Sequence, residues 1–267
     1  MESQPKQALL YTVILTIDIG NTHVDFAFFS GGIMTARNRM RTHLAADEPD
    51  HLTQLQRAIE ARPVGPPIER ALIASVVRHL GDQFVAHCRH CNLIPQQVDS
   101  SWDLGLHIHY DHPEHVGIDR LLSAAAAFDQ YKTAVVVADA GTAITVDVIR
   151  GDGAFLGGTI APGLRMMLGA LRSGTSLLPE VELGSSVPLL GQNTVDGMRS
   201  GVLYGAAGLI DGLYQRLREQ LQITPTSILT GGDAQRLFPL TRRIDRCDDA
   251  LVLQGLRLAH ERNELTL

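Results

Sequence analysis

Residues 15–29 read LTIDIGNTHVDFAFF, from Leu15 to Phe29. Leu15, Ile17 and Ile19 alternate with other residues, as do Val24, Phe26 and Phe28, which predicts two strands around a polar turn. The turn carries Asp18, Gly20, Asn21 and Thr22. A carboxylate at a hairpin tip marks either a tight structural turn or a phosphate site. The stretch has an echo in VVVADAGTAITVDVI, Val135 to Ile149, where Asp139-Ala140-Gly141 matches Asp18-Ile19-Gly20. A glycine turn and a third strand follow each copy, in SGGIMTARNRM (30–40) and RGDGAFLGGTI (150–160). Two matched strand–turn–strand–turn–strand units predict an internally duplicated α/β chain with two similar domains. The boundary is expected near Pro113 to Gly117, giving domains 1–115 and 116–267.

The segments between and after the copies alternate in type. ALIASVV (71–77) reads as a strand, and a helix is expected after Arg78. GIDRLLSAAAAFDQY (117–131) is rich in strong helix formers. GLRMMLGALRS (163–173) and SGVLYGAAGLIDGLYQRLREQL (200–221) read as helices, the second with small residues on one face. SILTGGDAQRL (227–237) reads as strand, Gly-Gly turn and helix start, and the last helix as roughly Leu251 to Glu261. The Pro-rich EARPVGPPIER (60–70) reads as a surface loop.

Bulk properties narrow the function classes. The chain has 267 residues, 45% of them hydrophobic, and a net charge of −6. That core fraction excludes a disordered chain, and the charge argues against a nucleic-acid or anionic-membrane partner. No apolar run approaches the ~20 residues of a membrane span. The N-terminus reads as a short extension through Thr12 without a signal-peptide core, so a cytoplasmic location is expected. Three cysteines are too few for a disulfide framework. Cys88 and Cys91 form a C-x-x-C with His87 and His90 interleaved, but only Cys247 remains as a further thiol. A histidine-rich helix end is the favoured reading there over zinc. His107, His109, His112 and His115 crowd HIHYDHPEH (107–115), where a solvated loop is favoured over a metal.

Three glycine-bearing turns after strands compete for a nucleotide: Gly20, Gly141 and Gly231-Gly232. Glycine lets backbone N–H groups approach phosphate oxygens. An aspartate there repels phosphate directly but can hold a bridging cation. Neither a P-loop nor a G-x-G-x-x-G is present. In YDHPEHVGIDRLLSA (110–124), Asp119 and Arg120 open an alanine-rich helix behind Gly117. Asp119 suits a helix cap, whereas Arg120 beside it invites an anionic ligand. A kinase needs such a pair, a carboxylate at the acceptor hydroxyl and a cation at the acceptor's own charge.

IDIGNTHVDFAFF, YDHPEHVGIDR, VADAGTAITVD, GGTIAPGLRMM, GQNTVDGMRSGVLYG and TGGDAQRL occur in that order across nearly the whole chain. In these pieces the sequence resembles the type III pantothenate kinases, members of the acetate and sugar kinase/Hsp70/actin superfamily. The resemblance implies two duplicated actin-like/ribonuclease H-like domains, with mixed sheets, flanking helices and a cleft between domains. It implies ATP-dependent phosphorylation of pantothenate, the first step toward coenzyme A, by a homodimer. ATP binding then falls to Asp18, Ile19, Gly20, Asn21, Thr22, His23, Val24 and Asp25, with Thr142. Pantothenate falls to Tyr110, Gly117, Ile118, Asp119, Arg120 and Thr194, with Asp119 as base. Asp139 is the implied ligand of a monovalent cation, K⁺ or NH₄⁺, and Asp18 the implied partner of Mg²⁺ carried with ATP. Ser123 replaces the family's usual asparagine, for which a local packing or hydrogen-bond change is expected. His23 and Asp25 are less standard in the first loop. Another kinase of the superfamily needs a sugar-binding set that is not found. An accessory factor in transcription is the other rival, and retention of Asp18, Asp119, Arg120, Asp139 and Thr142 argues against it.

Overall fold

The computed structural model describes residues 13–43, 50–62, 65–184 and 187–264. The N-terminal extension lies outside the described residues, as do residues 63 and 64 of the Pro-rich stretch. The chain forms two compact units. The first takes the residues up to Gly105, then His112–Ala126 and those from Val252 onward. The second takes Leu106–Asp111 and Ala127–Leu251.

The first unit is built on a five-stranded sheet. Its strands are β1 (Val13–Ile19), β2 (His23–Ser30), β3 (Ile33–Arg41), β4 (Ile68–Ser75) and β5 (Ile94–Gln97), in the order β3-β2-β1-β4-β5. β1 pairs antiparallel with β2 and parallel with β4, so the sheet is mixed. The alternating residues Leu15, Ile17, Ile19, Val24, Phe26 and Phe28 form one core face. Their neighbours Ile14, Thr16, Ala27 and Phe29 are buried too. The two strands are thus covered on both faces, which alternation alone does not predict. Helix α1 (His51–Glu60) is capped by Asp50, which accepts the Thr53 N–H at 2.9 Å. Helix α2 (Arg78–His90) lies against β4 and β5. Leu55 of α1 and Phe84 and Cys88 of α2 join the same core. Removing a fully buried ring such as Phe84 costs about 3–5 kcal/mol.

Two further helices belong to this unit. Helix α3 (Ile118–Tyr131) lends it its first half, and helix α7 (Leu251–Glu264) nearly its whole length. Their backbones meet at Gly255, where a Cβ would lie 2.7 Å from the Leu122 carbonyl carbon. Arg70 pairs with Glu264 at 2.9 Å, and Arg262 with Asp103 at 3.0 Å.

The second unit repeats the plan. Its strands are β6 (His107–Ile108), β7 (Val135–Ala140), β8 (Ala143–Ile149), β9 (Ala154–Pro162), β10 (Thr226–Thr230) and β11 (Arg246–Cys247). The order is β11-β10-β7-β8-β9-β6. Without β6 this is the first sheet again, with β7 in place of β1 and β10 in place of β4. Helices α4 (Leu164–Ser173), α5 (Thr194–Leu221) and α6 (Ala234–Leu237) complete it. Leu164, Leu168, Met198, Leu203, Ile210 and Leu237 pack from them onto Val136, Val146 and Leu229. The helices, hairpins and third strands expected from sequence are present. α1, β5, β6 and β11 are additional to that reading.

Candidate active site

The first Asp-x-Gly turn ends β1. Asp18 lies directly across from Asp25, and Ile19 from Val24. Gly20 N–H donates to the His23 carbonyl at 2.9 Å and closes the turn. Thr42, just beyond β3, latches it from outside. Its Oγ1 donates to Gly20 O at 2.6 Å, and its N–H to Thr22 O at 2.9 Å. Ile19 and Val24 are fully buried, so only their main chain can face a ligand. Asn21 is exposed, and Asp18, Gly20, Thr22 and His23 are partly buried. Asp25 is engaged by β3: Arg37 Nε reaches Oδ1 at 3.2 Å, and Arg39 Nε reaches Oδ2 at 2.7 Å.

The second turn ends β7. Gly141 N–H donates to Ala143 O at 3.0 Å, closing a turn one residue shorter than the first. Asp139 is partly buried, and Thr142 is exposed at the tip. Across from Asp139 on β8 stands Thr145, and beside it on β10 stands Thr230. Glycines line the carboxylate. Gly231 has φ +95°, and a Cβ there would collide with Asp139 Oδ1 and lie 2.7 Å from Ala140 O. A Cβ at Gly163 would lie 2.5 Å from Gly141 O. Gly163 caps α4, and its N–H donates to Thr142 O at 3.1 Å. The helix start is thereby brought against the turn, where its N–H groups favour anions.

Thr145 Oγ1 is buried with no hydrogen-bond partner among the described residues. Cross-strand neighbours lie within side-chain reach. An orphaned hydroxyl beside a carboxylate is an all-oxygen donor set, which fits a hard cation at Asp139. Farther along, Asp233 is buried, its N–H donates to Ala140 O at 2.9 Å, and Arg165 and Arg236 pair with its carboxylate.

The remaining candidates are placed as follows. Gly117 precedes α3, and Arg120 N–H donates to both Gly117 O (3.1 Å) and Asp119 Oδ1 (2.9 Å). A Cβ at Gly117 would collide with Asp119 Oδ1, so this carboxylate occupies space that only glycine leaves. Ile118, Asp119 and Arg120 are partly buried. Asp18 to Asp25 and Gly117 to Arg120 all belong to the first unit. Tyr110, Asp139, Thr142 and Thr194 belong to the second. Tyr110 lies over the β9 bulge, where a Cβ at Gly157 would be 2.9 Å from its Cε2. Thr194 is the exposed first residue of α5, behind Asn193, whose side chain accepts Asp196 N–H at 2.9 Å. Ser123 is buried on α3, and its Oγ has no hydrogen-bond partner among the described residues.

Sequence reading does not single out Thr42, Thr145 or Gly163. Thr42 lies 20 residues from Thr22 and carries no local signal. Thr145 and Gly163 are inside the quoted motifs but gain meaning only from strand register and helix placement. Burial pushes the Cys88 thiol up to about 12 and raises that of Cys91, which donates to Gln56 Oε1 at 3.0 Å.

A mixed β-sheet repeated in one chain, each copy ending its central strand in Asp-x-Gly, defines the duplicated actin-like α/β class. Solved structures agree on the fold. A Campylobacter jejuni protein described as a conserved putative Baf family transcriptional activator superposes with TM-score 0.54 at 22% identity, covering 95% of this chain and 100% of that one. The activator of the 2-hydroxyisocaproyl-CoA dehydratase from Clostridium difficile, with bound ADPNP, gives 0.51 at 12% identity over 95% and 97%. The family model of type III pantothenate kinase matches residues 14–216. Type III pantothenate kinases of Anaeromyxobacter dehalogenans strain 2CP-C and Syntrophus aciditrophicus are each 34% identical over 253 residues, covering 94% of this chain and all of the relative. The chain belongs to the type III pantothenate kinase family.

Proposed function

We propose that this chain transfers the γ-phosphoryl group of ATP to the primary hydroxyl of pantothenate, giving 4'-phosphopantothenate for coenzyme A synthesis. The observation that carries the reading is Gly117-Ile118-Asp119-Arg120 opening α3, with the Asp119 carboxylate set where a side chain at 117 would stand. Asp119 accepts the hydroxyl proton as the acceptor oxygen bonds to the γ-phosphorus and the bond to the β-phosphate oxygen breaks, releasing ADP. Arg120 pairs with the pantothenate carboxylate. Tyr110 and Thr194 contact the same substrate.

The turn Asp18 to Asp25 presents main-chain N–H groups and the side chains of Asn21, Thr22 and His23 to ATP, with Thr142 as a second contact. Asp25 supports this turn through its arginines. Asp18 would hold the Mg²⁺ of MgATP, and Asp139 a K⁺ or NH₄⁺ ion; both offset phosphate charge when bound. We place the chain in the cytoplasm, where the free thiols Cys88, Cys91 and Cys247 stay reduced. We also infer a homodimer. Exposed Leu189 and Leu190 lie beside α5, where Ser200 Oγ donates to Leu189 O at 2.5 Å, and offer apolar surface for it.

The deciding experiment is a coupled ADP-release assay with pantothenate, pantetheine and a sugar panel. Turnover is expected with pantothenate. Asp119→Asn is expected to lower kcat by about 10²–10⁴-fold with an unchanged melting temperature, and Arg120→Ala to raise KM for pantothenate first. A fully active but cooler-melting Asp119→Asn protein would reduce Asp119 to a helix cap and overturn its assignment.

A further inference from the structure

We propose that His112, Glu114 and His115 form a binding site for one divalent transition-metal ion of the zinc class. Glu114 and His115 lie in the 3₁₀ turn Pro113–His115, and His112 is the residue that caps it. His112 Nδ1 lies 3.3 Å and His115 Nε2 3.9 Å from the same oxygen, Glu114 Oε1. All three ligand atoms are within 4.8 Å of one another. Ligand bonds of about 2.1 Å at tetrahedral angles put donor atoms roughly 3.4 Å apart. The observed set therefore needs only a small contraction to close on an ion.

The turn is held ready by its backbone. His115 N–H donates to His112 O at 3.0 Å, and Val116 N–H to Pro113 O at 3.2 Å. Pro113 fixes φ at the first position of the turn. Val116, immediately after it, is buried and anchors the segment. The two imidazole rings lie 5.2 Å apart, tilted by 32°. All three side chains are exposed, so an ion binds without large desolvation and keeps water in its open positions.

The donor set selects the metal. Two imidazoles and one carboxylate suit Zn²⁺, Co²⁺ or Ni²⁺, whereas Mg²⁺ and Ca²⁺ demand oxygen ligands. The site is thus chemically distinct from the oxygen-lined turns at Asp18 and Asp139. Read only as an ion pair, the exposed cluster contributes almost nothing to stability. His115 lies two residues ahead of Gly117, so a bound ion stiffens the entry to α3. The metal-binding proposal does not depend on the pantothenate reading.

The test is equilibrium dialysis of the full, untagged chain against Zn²⁺, with Co²⁺ absorption as a second readout. One ion per chain is expected. The paired change His112→Ala and His115→Ala should weaken binding by more than about tenfold, and Glu114→Gln should weaken it too, with unchanged circular dichroism. Cys88→Ser with Cys91→Ser, and His107→Ala with His109→Ala, should leave it as it was. No saturable binding, unchanged affinity in the double histidine variant, or thiolate charge-transfer bands in the Co²⁺ spectrum would each overturn the site.

Discussion

At the end of β1, Gly20 N–H bonds His23 O, and at the end of β7, Gly141 N–H bonds Ala143 O, at 2.9 and 3.0 Å. The second turn is one residue shorter, and around the two turns the units diverge further. Across from Asp18 stands Asp25, clamped by Arg37 and Arg39, with Thr42 fastening Gly20 and Thr22 from outside. Across from Asp139 stands Thr145, with a buried hydroxyl that has no partner among the described residues. Glycines at 231 and 163 let the backbone press against that turn. Side chains tie the first turn together, whereas close backbone packing fixes the second. The lesson is that a duplicated scaffold can keep its topology while each copy changes what holds its loop. Side-chain ties tolerate conservative substitution, but backbone packing at van der Waals limits does not.

The largest expected effect comes from exchanging the two matched carboxylates. Asp18→Asn should lower kcat by more than about a hundredfold, since placing a metal on phosphate is worth several kcal/mol. Its melting temperature should hold, because the turn accepts asparagine. Asp139→Asn should instead remove the response of the rate to K⁺ or NH₄⁺. Steady-state kinetics in sodium-only and potassium buffers separate the two. Identical cation responses in both variants would break the comparison.

Next come the glycines. Gly231→Ala forces a side chain onto φ +95° and into Asp139. A loss of about 1–3 kcal/mol is expected, with activity falling alongside. At Gly20 the nearest neighbour of a Cβ is His23 O at 3.1 Å, and the backbone is not left-handed. Gly20→Ala should therefore melt within a few degrees of the parent. Equal losses in thermal melts would mean that both loops are held in the same way.

The ties of the first turn come third. Asp25→Asn weakens its grip on two arginines that are themselves only partly buried. About 1–3 kcal/mol is expected, below the cost of breaking a fully buried pair. Thr42→Val removes the hydroxyl bond to Gly20 O and should cost about 1 kcal/mol. Urea unfolding of both variants measures the order, and a larger loss for Thr42→Val would reverse the assignment of the main tie.

The hairpins were legible because their evidence is local: alternating apolar residues, an Asp-x-Gly, and a second copy to compare. Helices α3, α4, α5 and α7 announced themselves by composition or length. What stayed hidden is non-local. β6 is two residues long and joins the second sheet only by pairing with β9. α7 groups with the first unit although it closes the chain, and nothing in its own sequence says that Gly255 meets Leu122. The arginines that hold Asp25 lie on the following strand, across a turn, and carry no local signal. The orphan hydroxyl of Thr145 is a property of register, which a strand pattern alone leaves open.

The smallest expected effect also separates the units. His260 of α7 is the only buried histidine among the described residues, and it belongs to the first unit. It faces Glu264 at 3.4 Å, with Glu261 and Arg70 acting on it as well. Burial holds its pKa below the ordinary 6.5, helped by Arg70 and opposed by Glu264 and Glu261. A histidine kept neutral in the native state binds fewer protons than in the unfolded chain below about pH 6.5. Its contribution is therefore complete above that pH and is lost as pH falls toward the native value. Melting curves from about pH 7.5 to pH 5 should show an acid limb that flattens in His260→Gln. Because the second unit has no such group among the described residues, amide exchange should show the acid sensitivity first in α7 and its partner α3. An acid limb of unchanged slope in the variant would assign it to the carboxylates instead, and exchange rising first in β7 to β10 would place it in the other unit.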